Sequence, residues 1–564
     1  MKKNKKSKEK CSLKHTPLSW IFERSKSQRF KMCALIISNA IFSALSVLFA
    51  FAIKEIIDSA TVHNNVNRLI SYSVAIGIIV ILQFVFRIVI NGLSEHIRGK
   101  LEMDYKKHVF SSILTKRQEK ITDYHSGELM NRLTSDVAVV ADGASSILPT
   151  VVSATVRLGC AVVAIVILDW IFAIAFTIAG LLVFLTISLL RGKLKSLHKK
   201  TQETDGRVRS FMQECIENLL AVKVFSVNDK IEKKSTKLQQ ENFEVKMLRR
   251  NYSVVGNATY NFIFSAGYLF ALIYGGVKLL TGSGLTYGGL SAILQLVNNI
   301  QVPFATLSNV MPKYYAMIAS TERLMEIEEI QNENPIKPFD KQEIYSSMQS
   351  ICFDKVCFAY DRDNVLKDAN FTINKGDFVL IEGTSGIGKS TLIKLMLGVY
   401  SLESGQIYIK TENEKIELDN STRSLFSYVP QGNLIFSGTI EDNVRFIRED
   451  ATDEEVERAL KISCADKFVY DLPLGLKTVI GENGVGLSEG QVQRLAIARA
   501  ILCSAPIILL DEATSALDEN TERCLLDNLK GLEGVTLVVV SHKKSALSIC
   551  NRKIKIDKKG VAEL

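Results

Sequence analysis

Six long apolar stretches lie within the first 308 residues of this 564-residue chain. Each has about the 20 residues that a helix needs to cross the hydrocarbon core of a bilayer. They cover residues 32–56, 68–91, 146–168, 170–190, 254–280 and 287–308. Backbone amides cannot remain unpaired in lipid, so such stretches fold as helices. The mean hydropathy of +0.14 agrees with a chain that is partly embedded in a membrane. The sequence therefore predicts an all-α transmembrane domain with six spans.

Cationic residues are concentrated beside these stretches. Lys and Arg are dense before the first stretch and in residues 92–145 and 191–253, whereas the short loops carry little beyond Arg68 and Lys278. Such residues accumulate on the cytosolic side, so we expect a multi-pass protein of the cell membrane with both termini in the cytosol. The formal net charge of +9 could also suggest nucleic acid. The position of the cations favours the lipid bilayer as the partner instead, and we expect no nucleic-acid binding.

Ten cysteines show neither paired metal-ligand spacing nor a disulfide framework, and we expect them to be reduced.

Polar residues inside the spans are candidate cargo contacts, because they are costly in lipid unless they face a cavity or a partner helix. The candidates are Gln83, Arg87, Arg157, Asn257, Asn261, Gln295, Asn298 and Asn299. Hydrogen bonding between helices explains the amides equally well, and Arg157 can extend to the membrane surface. A cationic cavity formed by Arg87 and Arg157 is one hypothesis.

A glycine-rich loop in the second half connects an apolar strand to a helix. The pattern G-x-x-x-x-G-K-[ST] turns successive N–H groups toward a phosphate, to which the helix N-terminus adds positive potential. Lys389 would reach the β- and γ-phosphates of a nucleoside triphosphate, and the Ser390 hydroxyl would ligate Mg²⁺. The predicted nucleotide-binding residues of this loop are Gly383, Thr384, Ser385, Gly386, Ile387, Gly388, Lys389, Ser390 and Thr391. This pattern predicts an α/β P-loop NTPase domain.

A second nucleotide signature follows more than a hundred residues later. The apolar run that begins at Ile507 ends in Asp511, predicted to hold Mg²⁺, and Glu512, predicted to orient or deprotonate the attacking water. The intervening residues 438–500 have the pattern of an inserted helical subdomain, with Thr452 as an N-cap and Ser488 with Gln491 as a capping box. The helix that Ser488 opens could receive an anion, and this receptor makes most sense facing the nucleotide of another subunit.

Together these motifs resemble an ATP-binding cassette (ABC) exporter of the half-transporter type, and the resemblance covers nearly everything after about residue 20. Leu487–Arg494 resembles the family signature, Ser515–Asp518 its D-loop and Tyr428–Gln431 its Q-loop. Val540–His542 resembles the segment of the switch histidine, and Tyr360 takes the place of the adenine-stacking aromatic. Ser126–Leu133 and Gln213–Asn218 resemble the two long cytosolic connections of the family.

The resemblance implies a cytosolic segment at 1–30, a transmembrane domain at 31–325, a linker at 326–349 and an ATPase domain at 350–564. It implies ATP and Mg²⁺ as cofactors and three catalytic residues, Glu512, His542 and Gln431. The implied metal ligands are Ser390, Gln431 and Asp511, and the implied nucleotide contacts beyond the loop are Tyr360, Ser488, Gly490, Gln491 and Asp518. Two positions depart from the usual pattern: Glu489 stands where Gly is common, and Ile387 where a small residue is common.

The function implied by the resemblance is ATP-driven export by alternating access. The favoured partner is a second copy of the chain, with a related half-transporter as the alternative, and the dimer would have two composite ATP sites. An amphipathic small molecule, a lipid or a peptide is the expected cargo. The alternative is an ATP-gated channel or a membrane-anchored regulator, in which nucleotide binding changes conformation without pumping.

Overall fold

The computed structural model describes residues 16–122, 124–282, 284–336, 340–360, 363–384, 386–432, 435–481, 486–557 and 560–563. The predicted loop residue Ser385, residues 1–15 of the predicted N-terminal segment and residues 337–339 of the predicted linker lie outside the described residues. The chain divides into two compact units. The first comprises Met1–Ser111 and Ser126–Glu328, and the second comprises Ser112–His125 and Glu329–Leu564.

The first unit is helical throughout its described residues. Its helices are α1 (Pro17–Arg24), α2 (Arg29–Thr61), α3 (Val66–Leu114), which ends in the second unit, α5 (Ser126–Asn131), α6 (Val137–Leu168), α7 (Trp170–Glu217), α8 (Leu219–Val224), α9 (Asn228–Leu280) and α10 (Tyr287–Glu329). Among the described residues, the helical segments that contain α2, α3, α6, α9 and α10 are long and apolar enough to cross a membrane. Helix α7 contributes the shorter apolar segment Trp170–Val183 at the place of the fourth predicted span.

Helices α2 and α10 approach each other closely near Asp58. The side chain of Asp58 is buried and accepts hydrogen bonds from Thr286 Oγ1 (2.8 Å) and from the N–H of Gly288 (3.0 Å). A Cβ on Gly288 would lie 2.2 Å from the carbonyl oxygen of Lys54, so a side chain would force the two helices apart. Glycine is therefore required at this crossing.

Two of the polar candidates for cargo contacts bind each other. Arg157 donates from Nε (3.1 Å) and Nη2 (2.6 Å) to Oδ1 of Asn299, whose Nδ2 donates to the carbonyl oxygen of Ser46 (3.2 Å). This network joins α6, α10 and α2, so for Asn299 the structure shows hydrogen bonding between helices. Arg87 lies with its guanidinium carbon 5.9 Å from the ring centroid of Phe42.

The second unit is an α/β domain. Its strands are β1 (Met348–Tyr360), β2 (Asp363–Asn374), β3 (Phe378–Glu382), β4 (Ser404–Thr411), β5 (Lys415–Glu417), β6 (Phe426–Val429), β7 (Gly438–Thr439), β8 (Val479–Ile480), β9 (Ile507–Asp511), β10 (Thr536–Val540), β11 (Arg552–Asp557) and β12 (Gly560–Glu563). Its helices are α4 (Gln118–Ile121), α11 (Lys341–Ser347), α12 (Lys389–Met396), α13 (Ile440–Val444), α14 (Asp453–Ile462), α15 (Asp466–Asp471), α16 (Glu489–Leu502), α17 (Glu519–Lys530) and α18 (Lys544–Ile549). The central sheet has the order β12-β11-β3-β10-β9-β6, and an antiparallel sheet has the order β2-β1-β4-β5.

Strand pairing places the two nucleotide signatures at one edge of the central sheet. β10 pairs in parallel with both β3 and β9, so the carboxyl ends of the strands before Gly383 and Glu512 face the same way. Ligands of such sheets bind at the carboxyl ends of the strands. The inserted region forms α13 to α16, and α16 contributes Ala496 to one apolar core and Val492 to another. Helix α16 thus connects the inserted helices to the sheet.

Residues 112–125 belong to the second unit, although the predicted domain limits placed them in the transmembrane domain. Their backbone pairs with the start of the second unit, since Arg117 donates to Gln331 (3.1 Å) and Glu333 donates to Thr115 (2.9 Å). Arg117 Nη1 also donates to Ser401 Oγ (3.2 Å). Contacts between residues so far apart in sequence leave no local pattern, which is why the sequence did not indicate them.

Candidate nucleotide-binding site

The glycine-rich loop connects β3 to α12, which confirms the predicted strand, loop and helix. Gly388 is the N-cap of α12, with φ at +114° and a Cβ position 2.4 Å from Cγ1 of Val365. A Cβ on Gly383 would lie 2.6 Å from the carbonyl oxygen of Ile556. Because neither position has room for a Cβ, both require glycine. Without side chains there, the backbone N–H groups of the loop can face a phosphate.

Lys389 joins the two predicted nucleotide motifs. Its ammonium group is nearly buried and donates to the carbonyl oxygens of Gly383 (3.0 Å) and Thr384 (3.3 Å). It also donates to Nε2 of His542 (3.0 Å) and lies 3.8 Å from Oε1 of Glu512. The residues predicted to bind phosphate and to activate water therefore contact one another through a single cation.

Asp511 and Ser390 form a pair of oxygen groups beside the loop. The Ser390 hydroxyl donates to Oδ1 of Asp511 (2.9 Å), and Tyr428 OH donates to Oδ2 (3.3 Å). Burial raises the pKa of the Asp511 carboxyl, and the hydrogen bonds from Ser390 and Tyr428 oppose that rise. Hydroxyl and carboxylate oxygens are the donors that Mg²⁺ prefers, so these two residues fit the predicted metal.

Glu512 follows β9 in a left-handed conformation. Its φ is +50°, which is uncommon for a residue with a side chain, and its N–H donates to the carbonyl oxygen of Val540 (3.1 Å). Gln431 Nε2 donates to Oε2 of Glu512 (2.6 Å), and His542 Nε2 lies 3.7 Å from Oε1. The three predicted catalytic side chains therefore lie together, and this strained backbone directs the carboxylate.

Tyr360 lies at the end of β1 beside the loop helix. Its hydroxyl is 3.3 Å from Oγ1 of Thr391, and its ring makes edge contacts with Phe358 and Tyr400, with centroids 4.9 Å and 5.4 Å away. The side chain is half exposed. Stacking of this ring on an adenine stays a prediction.

The signature residues are arranged around the start of α16. The predicted capping box is confirmed: Ser488 Oγ accepts from the N–H of Gln491 (3.3 Å), and Gln491 Oε1 accepts from the N–H of Ser488 (2.8 Å). Within the described residues, neither side chain forms a hydrogen bond or ion pair with the phosphate loop. Asp518 caps α17 by accepting from the N–H of Thr521 (3.0 Å), and this hydrogen bonding lowers the pKa of its carboxyl.

The structure also shows two polar residues that the sequence did not assign. Gln493 donates to Ser515 Oγ (3.1 Å) and accepts from the N–H of Ala516 (3.1 Å). Lys543 Nζ donates to the carbonyl oxygens of Thr514 (2.8 Å) and Leu517 (2.6 Å). Both hold the D-loop segment. The sequence signals for Gln493 are its place in the signature segment Leu487–Arg494 and its amide among apolar neighbours.

Comparison with known proteins identifies the family. Residues 32–304 match the family described as ABC transporter transmembrane region, and residues 366–515 match the family described as ABC transporter. A relative from Staphylococcus aureus strain NCTC 8325, named as a multidrug export ATP-binding/permease protein, is 30% identical over 554 residues. The match covers 95% of this chain and 94% of the relative. The chain belongs to the ABC transporter family.

Further matches support the architecture of this ABC transporter. A protein of the same name from Staphylococcus aureus strain bovine RF122 is 29% identical, with the same coverage of both chains. The solved structure of a bacterial Atm1-family ABC exporter with ATP bound has a TM-score of 0.80 and covers 95% of this chain and 96% of its own. Its sequence is 22% identical, so this likeness supports the fold alone. The chain is an ATPase coupled to transport, and its function is ATP-driven export.

Proposed function

We propose that this ABC exporter acts as a head-to-tail dimer with two composite ATP sites. The phosphate loop of one chain would bind ATP, and Ser488, Gly490 and Gln491 of the other chain would contact its γ-phosphate. One observation supports this arrangement most strongly. Ser488 lies exposed at the start of α16 without a hydrogen bond to the phosphate loop of its own chain, among the described residues. A helix N-terminus is a receptor for an anion, and in the dimer the anion comes from the partner.

Each loop residue then has a role in ATP binding. The backbone N–H groups from Gly383 to Thr391, Ser385 included, would surround the phosphates, and the Lys389 ammonium would neutralise their charge. Tyr360 would stack on the adenine. Ser390, Asp511 and Gln431 would hold Mg²⁺, which supplies positive charge at the β- and γ-oxygens.

Hydrolysis requires a group that positions and deprotonates a water. Two contacts support Glu512 in this role: Gln431 Nε2 donates to its Oε2 (2.6 Å), and His542 Nε2 lies 3.7 Å from its Oε1. As general base it would accept the proton of the attacking water, and His542 would donate a hydrogen bond to the γ-phosphate. Asp518 would hold the D-loop at the neighbouring site.

We propose that ATP closes the two ATPase domains and that hydrolysis reopens them, so that the cavity between the spans alternates between the two sides of the membrane. Both termini would lie in the cytosol, as the distribution of cations indicates. The Staphylococcus aureus relatives are named for multidrug export, which supports drugs as cargo, and the amphipathic character of that cargo is our proposal. A cavity of about 320 Å³ between α6 and α10 has mixed polar and apolar walls, including Ile147, Thr150 and Asn309.

The composite sites can be tested by complementation. Lys389→Ala removes the loop contact and Ser488→Ala removes the signature contact, and each is expected to lower ATPase activity about 10²-fold by removing a donor to the developing phosphate charge. In a mixed dimer of the two variants, one site carries both defects and the other is intact. We therefore expect coexpressed, doubly tagged dimers to hydrolyse ATP well above either variant alone. Sites built within single chains would leave the mixture as inactive as its components.

A further inference from the structure

Two cysteines of the ATPase domain have their sulfurs in contact. Cys464 follows α14, Cys524 lies on α17, and their Sγ atoms are 3.5 Å apart. Both are free thiols. A disulfide requires an S–S length of about 2.05 Å, so closing the bond needs a movement of about 1.5 Å. Asn528 also lies at this contact: its Nδ2 donates to the carbonyl oxygen of Ile462 (3.2 Å) and is 3.6 Å from the Sγ of Cys464 and 3.9 Å from that of Cys524.

The backbone at Cys464 is unusual for a cysteine. Its φ is +56°, and the N–H of Ala465 donates back to the carbonyl oxygen of Leu460 (2.8 Å), which is the geometry of a helix C-terminus where glycine is common. A side chain in this left-handed conformation is disfavoured by sterics. The position therefore keeps a thiol where a glycine would be more stable.

We propose that Cys464 and Cys524 form a reversible disulfide on exposure to a peroxide. The exposed thiol of Cys524 would attack the peroxide oxygen, giving a sulfenic acid and releasing water from hydrogen peroxide. The thiol of Cys464 would then attack that sulfur, forming the S–S bond, and its proton would leave with the sulfenic hydroxyl as a second water. A reducing thiol reverses the modification.

The environments of the two thiols assign these roles. Cys464 is half-buried, and burial, reinforced by the hydrogen bond with Cys524, raises the pKa of its thiol to about 12. Attack on a peroxide requires a thiolate that is accessible to solvent, so Cys524 is the residue that reacts first. Cytosolic disulfides are usually transient and redox-sensing, which agrees with a pair that is reduced at rest.

The bond would connect two parts of the domain that each carry a nucleotide motif. Arg494 of the signature helix α16 donates from Nη1 to the carbonyl oxygen of Cys464 (2.7 Å) and from Nε to that of Gly490 (3.3 Å). Cys524 lies on α17, the helix that begins directly after Asp518. Oxidation would therefore fix the inserted helices against the D-loop helix. We expect the rate of ATP hydrolysis to fall about fivefold or more. This loss of activity rests on the proposed composite site, whereas formation of the disulfide does not.

The test uses the full-length chain in nanodiscs, treated with hydrogen peroxide, alkylated and digested. Mass spectrometry should find the linked Cys464 and Cys524 peptides, and ATPase activity should fall and return with dithiothreitol. Cys464→Ser and Cys524→Ser should lose both effects, whereas the matched control Cys503→Ser should keep both. Because Cys524 is exposed, its variant is expected to fold normally.

The two readouts separate the possible failures. No linked peptide in the wild type, under conditions that oxidise its other cysteines, would overturn the proposal. Equal loss of activity in wild type and Cys524→Ser would also overturn it. A linked peptide with unchanged ATPase activity would remove the regulatory consequence, while the complementation experiment would still decide the composite site separately.

Discussion

Gln493 connects two segments that the proposed dimer places at the same nucleotide. Its side chain is nearly buried on α16, and both ends of its amide bind the D-loop, at Ser515 and at Ala516. A Cβ on Gly490 would lie 2.9 Å from the carbonyl oxygen of Ala516, so the signature and the D-loop are also in close contact. We interpret Gln493 as a positioning residue that holds the two motifs in one arrangement.

Truncating this side chain should therefore affect turnover more than ATP binding. Gln493→Ala leaves the Ala516 N–H and the Ser515 hydroxyl without their partner. This loss should cost about 1–3 kcal/mol of interaction free energy. If the arrangement is needed in the transition state, kcat should fall about tenfold with little change in KM for ATP.

A double-mutant cycle with Ser515→Ala supplies the control. The two changes should be non-additive in kcat, because they remove the same hydrogen bond. A drop in the thermal midpoint with an unchanged kcat would show that Gln493 is only structural.

Among the described residues of the ATPase domain, three helices begin with a capping box: α13 at Thr439, α14 at Thr452 and α16 at Ser488. Ser488 accepts from the N–H of Gln491 at 3.3 Å at the start of α16, and Thr452 accepts from the N–H of Glu455 at 3.3 Å at the start of α14. Loss of a cap of either kind costs about 1 kcal/mol of stability. The two helices therefore form a matched pair, of which only α16 carries the signature.

Ser488→Ala and Thr452→Ala should lower the thermal midpoint by similar amounts, as measured by unfolding in detergent. Only Ser488→Ala should also reduce ATP hydrolysis, because its hydroxyl is proposed to contact the γ-phosphate of the partner. Equal activity in the two variants would show that Ser488 acts solely as a helix cap.

The features that the sequence predicted are those with local causes. The capping box of Ser488 and the N-cap Thr452 depend on residues within one helical turn, and the strand, loop and helix around Lys389 depend on one short segment. The hydrogen bond of Arg157 with Asn299 and the contact of Cys464 with Cys524 join residues 142 and 60 positions apart. Folding of the chain brings such pairs together, and the periodicity of a single sequence does not predict these contacts.

The positions of the predicted catalytic residues in the fold could be inferred from the sequence, but their contacts with one another could not. Gln431, Glu512 and His542 each belong to a recognisable motif that follows a strand of the central sheet. A sequence in which strands and helices alternate indicates a parallel sheet. Parallel pairing of these strands brings the motifs to one edge of that sheet. The left-handed φ of Glu512 could not be predicted from the sequence, because a glutamate has no preference for this conformation.

The two units of the chain together perform export that is driven by ATP hydrolysis. The first unit supplies long apolar helices, and the second supplies the nucleotide residues gathered at the sheet edge. A channel that ATP merely opens would need the same binding residues without the general base. Glu512 therefore distinguishes pumping from gating.

The decisive measurement is cargo movement into proteoliposomes, with ATP added outside so that only chains with an outward-facing ATPase domain respond. Wild-type chains should concentrate an amphipathic dye or peptide against its gradient. The Glu512→Gln variant, which binds ATP but lacks the base, should be about 10²-fold slower or worse. Glu519→Gln, at an exposed carboxylate of α17, is the charge-matched control and should transport normally. Downhill flow that is equally fast in wild type and Glu512→Gln would contradict the exporter account and support an ATP-gated channel.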